Sequence, residues 1–574
     1  MIQMNKLKEE YLNFLILTGA IALVYITVHM AGVFRLDLTA EKRYSLSPVT
    51  KELLNEVKEP MIFTLYLEGD LPSGFRKLQR EVRQIIQEFR AYNKNIQFRI
   101  EDPSAVGDRK AIRDFQEQLV FKGLSPVQVE VNEGNQVQFL QLFPGIIATY
   151  GERESAIQLL STYLNISPEN QINIAIQNLE YNLANGIRKL VQKFSPSIAF
   201  LEGHDELLPG KVADISRALS EHYTVTRFNI RQFEKDTATG DVSIIKQMQR
   251  MSNFDCIVVA KPQKPFTDLD IFLMDQFIMN GGKVVWLIDA VAADMDSLSK
   301  ASEFMAYPIL DELRLGNMFF RYGFRINTNL VQDRKAAWVS DMRSVRRWIY
   351  FPLIDPLVFH PITKDLNSVK LEFASTIDTV LSPEVLKTPL LKTSDATRTV
   401  ATPHIVRLAH LYNYPGKEPY PKKFLTVGLL LEGTFTSYFK NQIVPKDENG
   451  RQIPFRIESI PTQQVVIADG DVIKNQLNIV NPNLQKGTPL PLGFDQFTGI
   501  QYGNKDLMLN IFDYLLDEKG LIALRNREFK LRLLKMSKVN DEIWFWRLLN
   551  TAVPVLLVMI SGILYTHFRK KKYT

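Results

Sequence analysis

The chain has 574 residues, 45% of them hydrophobic and 23% charged, with a formal net charge of +6. These proportions describe an ordinary folded body with room for about three or four domains, and they exclude a disordered stalk. So small a net charge argues against nucleic-acid binding, which calls for a strong basic face or stripe. The lone cysteine, Cys256, excludes an intrachain disulfide, a cysteine zinc cluster and a CxxC redox pair.

A short N-terminus, 1–10, precedes residues 11–34, which carry no Lys, Arg, Asp or Glu. That run is long enough to cross a hydrocarbon core of about 30 Å as a helix. It exceeds a signal-peptide core and lacks a small-residue cleavage site, so it reads as an uncleaved signal anchor. Residues 35–165 follow as an α/β domain. Ser47-Pro48 supplies an N-cap and first-turn proline for a helix ending near residue 57. A strand is expected over 61–69, then a helix with Leu78, Val82, Ile85, Ile86 and Phe89 on one face. A strand at 95–103, a helix at 109–121 and strands at 126–131 and 145–150 complete a thioredoxin-like order. The domain lacks the redox motif and would serve as a binding scaffold.

Residues 166–195 read as one long connecting helix capped by Ser167-Pro168. Its stripe of Ile172, Ile176, Leu179, Leu183, Ile187 and Leu190 reads as a domain-packing face, with a coiled-coil contact to another chain as the alternative. In 196–340, the runs SIAFLEGH, FDCIVVAKP and KVVWLIDA alternate with helices at 211–220 and 268–279. Near-continuous apolar strands of this kind belong to a parallel sheet covered on both faces, a Rossmann-like arrangement. Cys256 falls inside one such strand and reads as a core thiol. The stretch from about 327 to 421 is less regular and rich in Pro, Thr and Ser, and 341–520 reads as the second half of the α/β body or a related domain. The strands at 424–433 and 463–471 either complete the same sheet or belong to a second related domain, and a helix follows at 506–516.

Residues 521–546 are basic and partly amphipathic, a strap for the lipid surface that ends in Trp544 and Trp546, residues suited to a membrane interface. A second span covers 547–568, free of Lys, Arg, Asp and Glu from Leu548 to Phe568, and the tail 569–574 carries Arg569, Lys570, Lys571 and Lys572. This basic cluster favours both termini in the cytoplasm and the body outside it. Two spans do not make a solute pathway, so a transport role requires partner subunits.

The chain contains no G-x-x-x-x-G-K-[ST], no H-E-x-x-H and no G-x-S-x-G. One constellation stands out. Glu202, Gly203, His204 and Asp205 follow the first strand of the 196–340 unit, and Asp289 ends a later strand. Ligands of open parallel sheets bind beyond the carboxyl ends of the strands. Ligand or partner binding there competes with a proton-transfer role, and both compete with the simple turn chemistry of Gly-His-Asp. Asp469-Gly470-Asp471 repeats the theme and reads as a turn, since two carboxylates alone make a poor cation site. No catalytic residue, metal or cofactor is assigned.

Several stretches together resemble one family: FRLDLTAEKRYSLSP (34–48), YLEGDLPSGFRKLQREVRQIIQEFRAY (66–92), FRIEDPSA (98–105), ENQINIAIQNLEYNLANGIRKL (169–190), IAFLEGHDEL (198–207) and GNKDLMLNIFDYLLDEKGLIALRNREFKLR (503–532). The resemblance is to the GldG family of gliding-motility-associated ABC transporter components, within a wider family of auxiliary proteins of uncharacterised ABC transporters. It implies a membrane-anchored, substrate-binding-like subunit working with a GldA-like ATPase and a GldF-like permease. It also implies a bacterial inner membrane with the body in the periplasm, where it would meet a cargo or cell-envelope partner. The middle domain of that family resembles class I glutamine amidotransferases, whose nucleophilic cysteine has no counterpart here. The resulting expectation is a non-catalytic auxiliary subunit required for gliding. The alternatives are a structural scaffold of the envelope and a tethered hydrolase using Glu202, His204 and Asp289.

Overall fold

Residues 16, 18–23, 45–526 (apart from 70, 134–135, 161–166, 193–194, 235–242, 341–343, 357–359, 413–416, 447–449 and 451, 518–519) and 542–573 are described by the structure, a computed structural model. Most of the first expected span, 11–34, lies outside the described residues, as does 527–541 of the expected strap.

Ser47 accepts a hydrogen bond from the Thr50 amide and caps helix α1 (Pro48–Asn55), with proline in the first turn where its missing N–H costs nothing. Strand β1 (Met61–Leu65) is followed by α2 (Ser73–Tyr92), which buries Phe75, Leu78, Val82, Ile86 and Phe89 at helical spacing. β2 (Ile96–Ile100), α3 (Arg109–Phe121), β3 (Val127–Glu133), β4 (Gln136–Leu142), β5 (Gly145–Tyr150) and β6 (Arg153–Gln158) follow. The sheet has the order β2-β1-β5-β6. β1 and β2 are parallel, with Met61 opposite Ile96, while β1/β5 and β5/β6 are antiparallel. The expected strand at 126–131 does not join this sheet; as β3 it pairs with β4 in a separate hairpin. Its place is taken by β6, whose charged RES start hides its strand character and whose turn depends on Gly151 at φ +60°.

The expected long connector is two helices, α4 (Pro168–Gln177) and α5 (Leu179–Val191), meeting at Asn178 with φ −89° and ψ 1°. Its apolar stripe is buried in the same core as α2 and β1, together with Leu521 and Ile522. The segment is therefore a layer of the N-terminal module. Leu521–Asn526 forms a 3-10 helix packed into that core, which corrects the assignment of 521–526 to a lipid-surface strap.

The large sheet begins with β7 (Ser197–Glu202), followed by α6 (Ala213–Ser220), β8 (Thr224–Asn229), α7 (Ile244–Met251), β9 (Cys256–Ala260), α8 (Asp268–Met279) and β10 (Lys283–Leu287). It is completed by β11 (Val385–Lys392), β12 (Thr426–Gly433) and β13 (Thr462–Ile467) in the order β11-β12-β13-β10-β9-β7-β8. The late strands thus complete the first sheet, and no boundary at 340/341 divides it. β8 through β13 run parallel along this order, whereas β12 and β11 are antiparallel to their neighbours, so the sheet is mixed. Antiparallel neighbours need no helical crossover, and these two strands flank an inserted β region.

Side chains alternate between two cores. Leu201, Val259, Trp286 and Val466 lie on one face. Phe200, Val258, Leu287 and Ile467 lie on the other. Cys256 is fully buried in the second, and burial pushes its thiol up to about 12. Besides β11, the residues between β10 and β12 form short antiparallel pairs such as Asn329–Asp333 with Thr397–Ala401, around Trp348, Tyr350, Phe351 and Phe373. Helix α9 (Asn504–Leu515) packs on the second face.

Gly433 sits between β11 and β13 at φ +139°, where an added Cβ would lie 2.1 Å from the Glu384 carbonyl oxygen. Gly433→Ala is expected to destabilise the body by roughly 1–3 kcal/mol, read as a lower urea midpoint by tryptophan fluorescence.

The described residues 542–573 belong to a separate unit. Its helix α10 (Ile543–Tyr573) contains an apolar stretch, Ile543–Arg569, with mean hydropathy 2.0 and none of it buried. Trp544 and Trp546 belong to the first turn of this helix, with the Arg547 guanidinium 5.7 Å from the Trp544 ring. The basic tail continues the helix, with Arg569, Lys570, Lys571 and Lys572 inside it.

Candidate functional site

β7 delivers its last residue, Glu202, to the carboxyl edge of the sheet, where Glu202 pairs with Arg227 of β8. The chain then turns through Gly203 at φ +131°, a backbone that favours glycine. Asp205, at φ +53°, points to the surface and pairs with Lys264 at 2.8 Å. Between them His204 is fully buried. Its Nδ1 lies 3.1 Å from Glu206 Oε1 and its Nε2 3.1 Å from Asp270 Oδ2. The ring stacks on Phe266 at 3.5 Å. Its carbonyl accepts from the Gln263 and Lys264 amides.

Asp270 is the third helical residue of α8 and closes a capping box with Thr267. It also receives Arg231 Nη2 at 2.9 Å. Burial pulls His204 down, but the hydrogen bonds to Asp270 and Glu206 outweigh it and raise the imidazole above its ordinary value. Burial pushes Asp270 up, and its bonds to His204, Arg231 and Thr267 bring it well below the carboxylate range.

Asp289 belongs to a second cluster, at the carboxyl ends of β9, β10 and β13. Lys261, the residue that follows β9 and is held at φ +55°, pairs with Asp289 at 3.0 Å and with Asp471. Lys474 pairs with Asp471 at 2.9 Å. Asp289 also accepts from the Gly470 amide at 2.6 Å, and Asp469 accepts from the Asp471 and Glu372 amides. Burial raises Asp289 despite Lys261. Burial and the charges of Asp471 and Asp289 push Asp469 well up. Asp471 is also pushed up by burial, but Lys261 and Lys474 bring it below its ordinary value. Among the described residues no group of three or more His, Cys, Asp or Glu side chains is placed to hold a metal ion.

The expected constellation is therefore divided. Glu202, His204 and Asp289 contact three different sets of partners, and they do not assemble as an acid–histidine–acid relay. Asp469-Gly470-Asp471 does lead into a turn, the 3-10 helix Asp471–Ile473, but its acids converge with Asp289. Sequence reasoning missed Glu206, Lys261 and Asp270. The Thr-x-x-Asp spacing of Thr267 and Asp270 was a local signal for the cap, but nothing local linked Asp270 to His204.

A third polar cluster joins α5 to α9. Asp513 accepts from Arg188 at 3.0 Å, Tyr223 at 2.6 Å, Asn185 at 3.3 Å and Tyr181 at 3.4 Å. All five residues are buried.

An α/β body with a mixed seven-stranded sheet, and a separate exposed apolar helix long enough to cross a membrane, define a membrane-associated class of protein. Residues 195–511 match a family described as an ABC-type uncharacterized transport system, and the chain belongs to that family of auxiliary components. Membership implies association with other components of an ABC transport system. Residues 40–149 match a domain of unknown function, DUF7088. An uncharacterized protein of Borreliella burgdorferi is 22% identical over 585 residues, covering 99% of this chain and 100% of that protein. The solved mmIFT52 N-terminal domain aligns at a TM-score of 0.31 and 10% identity, over 56% of this chain and 97% of that one, too low to bear on the fold.

Proposed function

We propose that the protein is a non-catalytic, membrane-anchored auxiliary subunit of an ABC complex required for gliding, working beside a GldF-like permease and a GldA-like ATPase. The observation that carries this reading is the family match over 195–511 in a chain that also bears the unburied apolar helix Ile543–Arg569. In this reading an N-terminal span and that helix both pack beside the permease, both termini are cytoplasmic, and the body lies in the periplasm to meet cargo or envelope partners. The sheet order β2-β1-β5-β6 supports a thioredoxin-like N-terminal module, and the five parallel strands support a Rossmann-like, amidotransferase-like centre. A non-catalytic role is supported by His204, whose two ring nitrogens both face buried carboxylates without access to solvent.

The test is purification of the tagged full-length protein from its own membranes in mild detergent, with mass spectrometry of what co-purifies. An ABC permease and ATPase are expected in amounts comparable to the tagged chain. Their absence, under conditions that retain other membrane complexes, would overturn the subunit reading and favour the envelope scaffold.

A further inference from the structure

A cleft of about 250 Å³ lies between the N-terminal module and α9. Ser155 of β6, Asn185 and Lys189 of α5, Asp506 of α9, Asp365 and Arg525 line it. Buried polar atoms in folded proteins almost always have partners. Four buried side-chain atoms that line this cleft lack a hydrogen-bond partner among the described residues: Ser155 Oγ, Asn185 Oδ1, Arg525 Nε and Arg525 Nη1. Their residues are 5%, 8% and 6% exposed, so bulk water does not satisfy them.

The charges around these atoms are of both signs. The Arg525 guanidinium is fixed over the Tyr181 ring at 5.5 Å and donates through Nη2 to the Lys364 carbonyl, leaving its other nitrogens unused. Lys189 makes no hydrogen bond or ion pair with the described residues, and burial holds its amine below the ordinary lysine value. On the acidic side, Asp365 uses one oxygen to accept from Asn178 at 3.0 Å. Asp506 is exposed and interacts with Arg525 only at longer range. Asp513 also lines the cleft, with its oxygens already accepting from Arg188 and Tyr223, so a simple anion would meet three carboxylates here and a simple cation two basic side chains. A ligand carrying both charges satisfies both groups. The volume is below the roughly 300–1,000 Å³ of sites for drug-sized ligands, which sets the scale at a small molecule.

We propose that this cleft binds a small zwitterion of the α-amino-acid class. Lys189, Arg525 and the Ser155 hydroxyl take its carboxylate, and Asp506, Asp365 and Asn185 Oδ1 take its ammonium group. Because the cleft is walled by both the N-terminal module and α9, occupancy adds contacts across their junction. The proposal is independent of the transport-subunit reading and stands or falls on its own measurement.

The experiment is saturation-transfer difference NMR on full-length protein in detergent, with L-alanine, acetate and methylammonium as separate probes. L-Alanine is expected to give a signal, and acetate and methylammonium to give much weaker ones. Lys189→Met should weaken L-alanine binding about tenfold, the equivalent of one charge-assisted hydrogen bond, with unchanged far-ultraviolet circular dichroism. If that variant fails to fold, Asp506→Asn, on the exposed side, is read in its place with the same expected loss. No signal from L-alanine, a signal from acetate of equal strength, or L-alanine binding indifferent to the substitution would each overturn the proposal.

Discussion

Asp513→Ala should destabilise the protein by about 3–5 kcal/mol, the cost of leaving a buried charge without its partner. The carboxylate is the common acceptor for Arg188, Tyr223, Asn185 and Tyr181. Its removal strands the Arg188 guanidinium at a position 10% exposed, with Asp517 left at 4.0 Å. The effect is directional in pH. Burial raises the Asp513 carboxyl, but Lys189, Arg188 and the Tyr223 hydroxyl outweigh it and bring the group from 3.8 down to about 2. A depressed carboxyl contributes its stability above the unfolded value and loses it as the pH falls through the folded one. The difference between wild type and Asp513→Ala should therefore be full at neutral pH and shrink between about pH 4 and pH 2. Urea unfolding followed by circular dichroism across that range measures it. Asp513→Asn, which keeps a hydrogen-bonding group but removes the charge, should fall between the two. Equal stability of all three at pH 7 would show that α5 and α9 are held together by apolar packing alone.

The second large effect is expected at His204. His204→Leu replaces a doubly bound imidazole with an apolar side chain and leaves Glu206 and Asp270 facing it. Asp270 keeps Arg231 and the Thr267 amide, and Glu206 keeps the His204 backbone amide, so the loss is about 3 kcal/mol, at the low end for a broken buried pair. Here the pH dependence has the opposite sign. The two carboxylates hold the imidazole above 6.5 against the pull of burial. A raised histidine contributes fully below its unfolded value and loses that contribution as the pH rises through the folded value. The gap between wild type and His204→Leu should thus be widest below pH 6.5 and narrow in alkali. Guanidinium unfolding at pH 6 and pH 9 decides the sign. A gap that widens toward pH 9 would mean that the neutral imidazole is the form the fold stabilises.

Much of the architecture was legible because its causes are local. Ser47-Pro48 and Ser167-Pro168 announce helix starts through the geometry of a cap. The runs at 197–202, 256–260 and 283–287 are apolar on both faces because helices cover both sides of the sheet. The spacing from Ile172 to Leu190 shows an apolar face, but that face is buried within the N-terminal core and the helix is broken at Asn178. Errors arose where composition masks conformation. RESAIQ has the charge density of a loop, yet it forms the edge strand β6. The stretch 521–526 leads into the basic run that begins at Arg525, typical of a surface strap, yet Leu521, Ile522 and Arg525 are buried.

The candidate site was legible only as a place. That the turn after β7 and the ends of β10 and β13 lie at one sheet edge follows from strand direction, and the sequence identified Glu202, His204 and Asp289 there. Which charges meet was decided by tertiary structure. Lys261 reaches Asp471 across 210 residues, His204 reaches Asp270 across 66, and Arg188 reaches Asp513 across 325. By itself the sequence determined the C-terminal apolar helix, the caps, the buried strands and the family, because each is written in neighbouring residues through periodicity and turn chemistry. Strand order, the antiparallel return of β12 and the partners of every buried charge were decided only on folding, because desolvation forces an ionised group to find whatever counter-charge the chain path brings within reach.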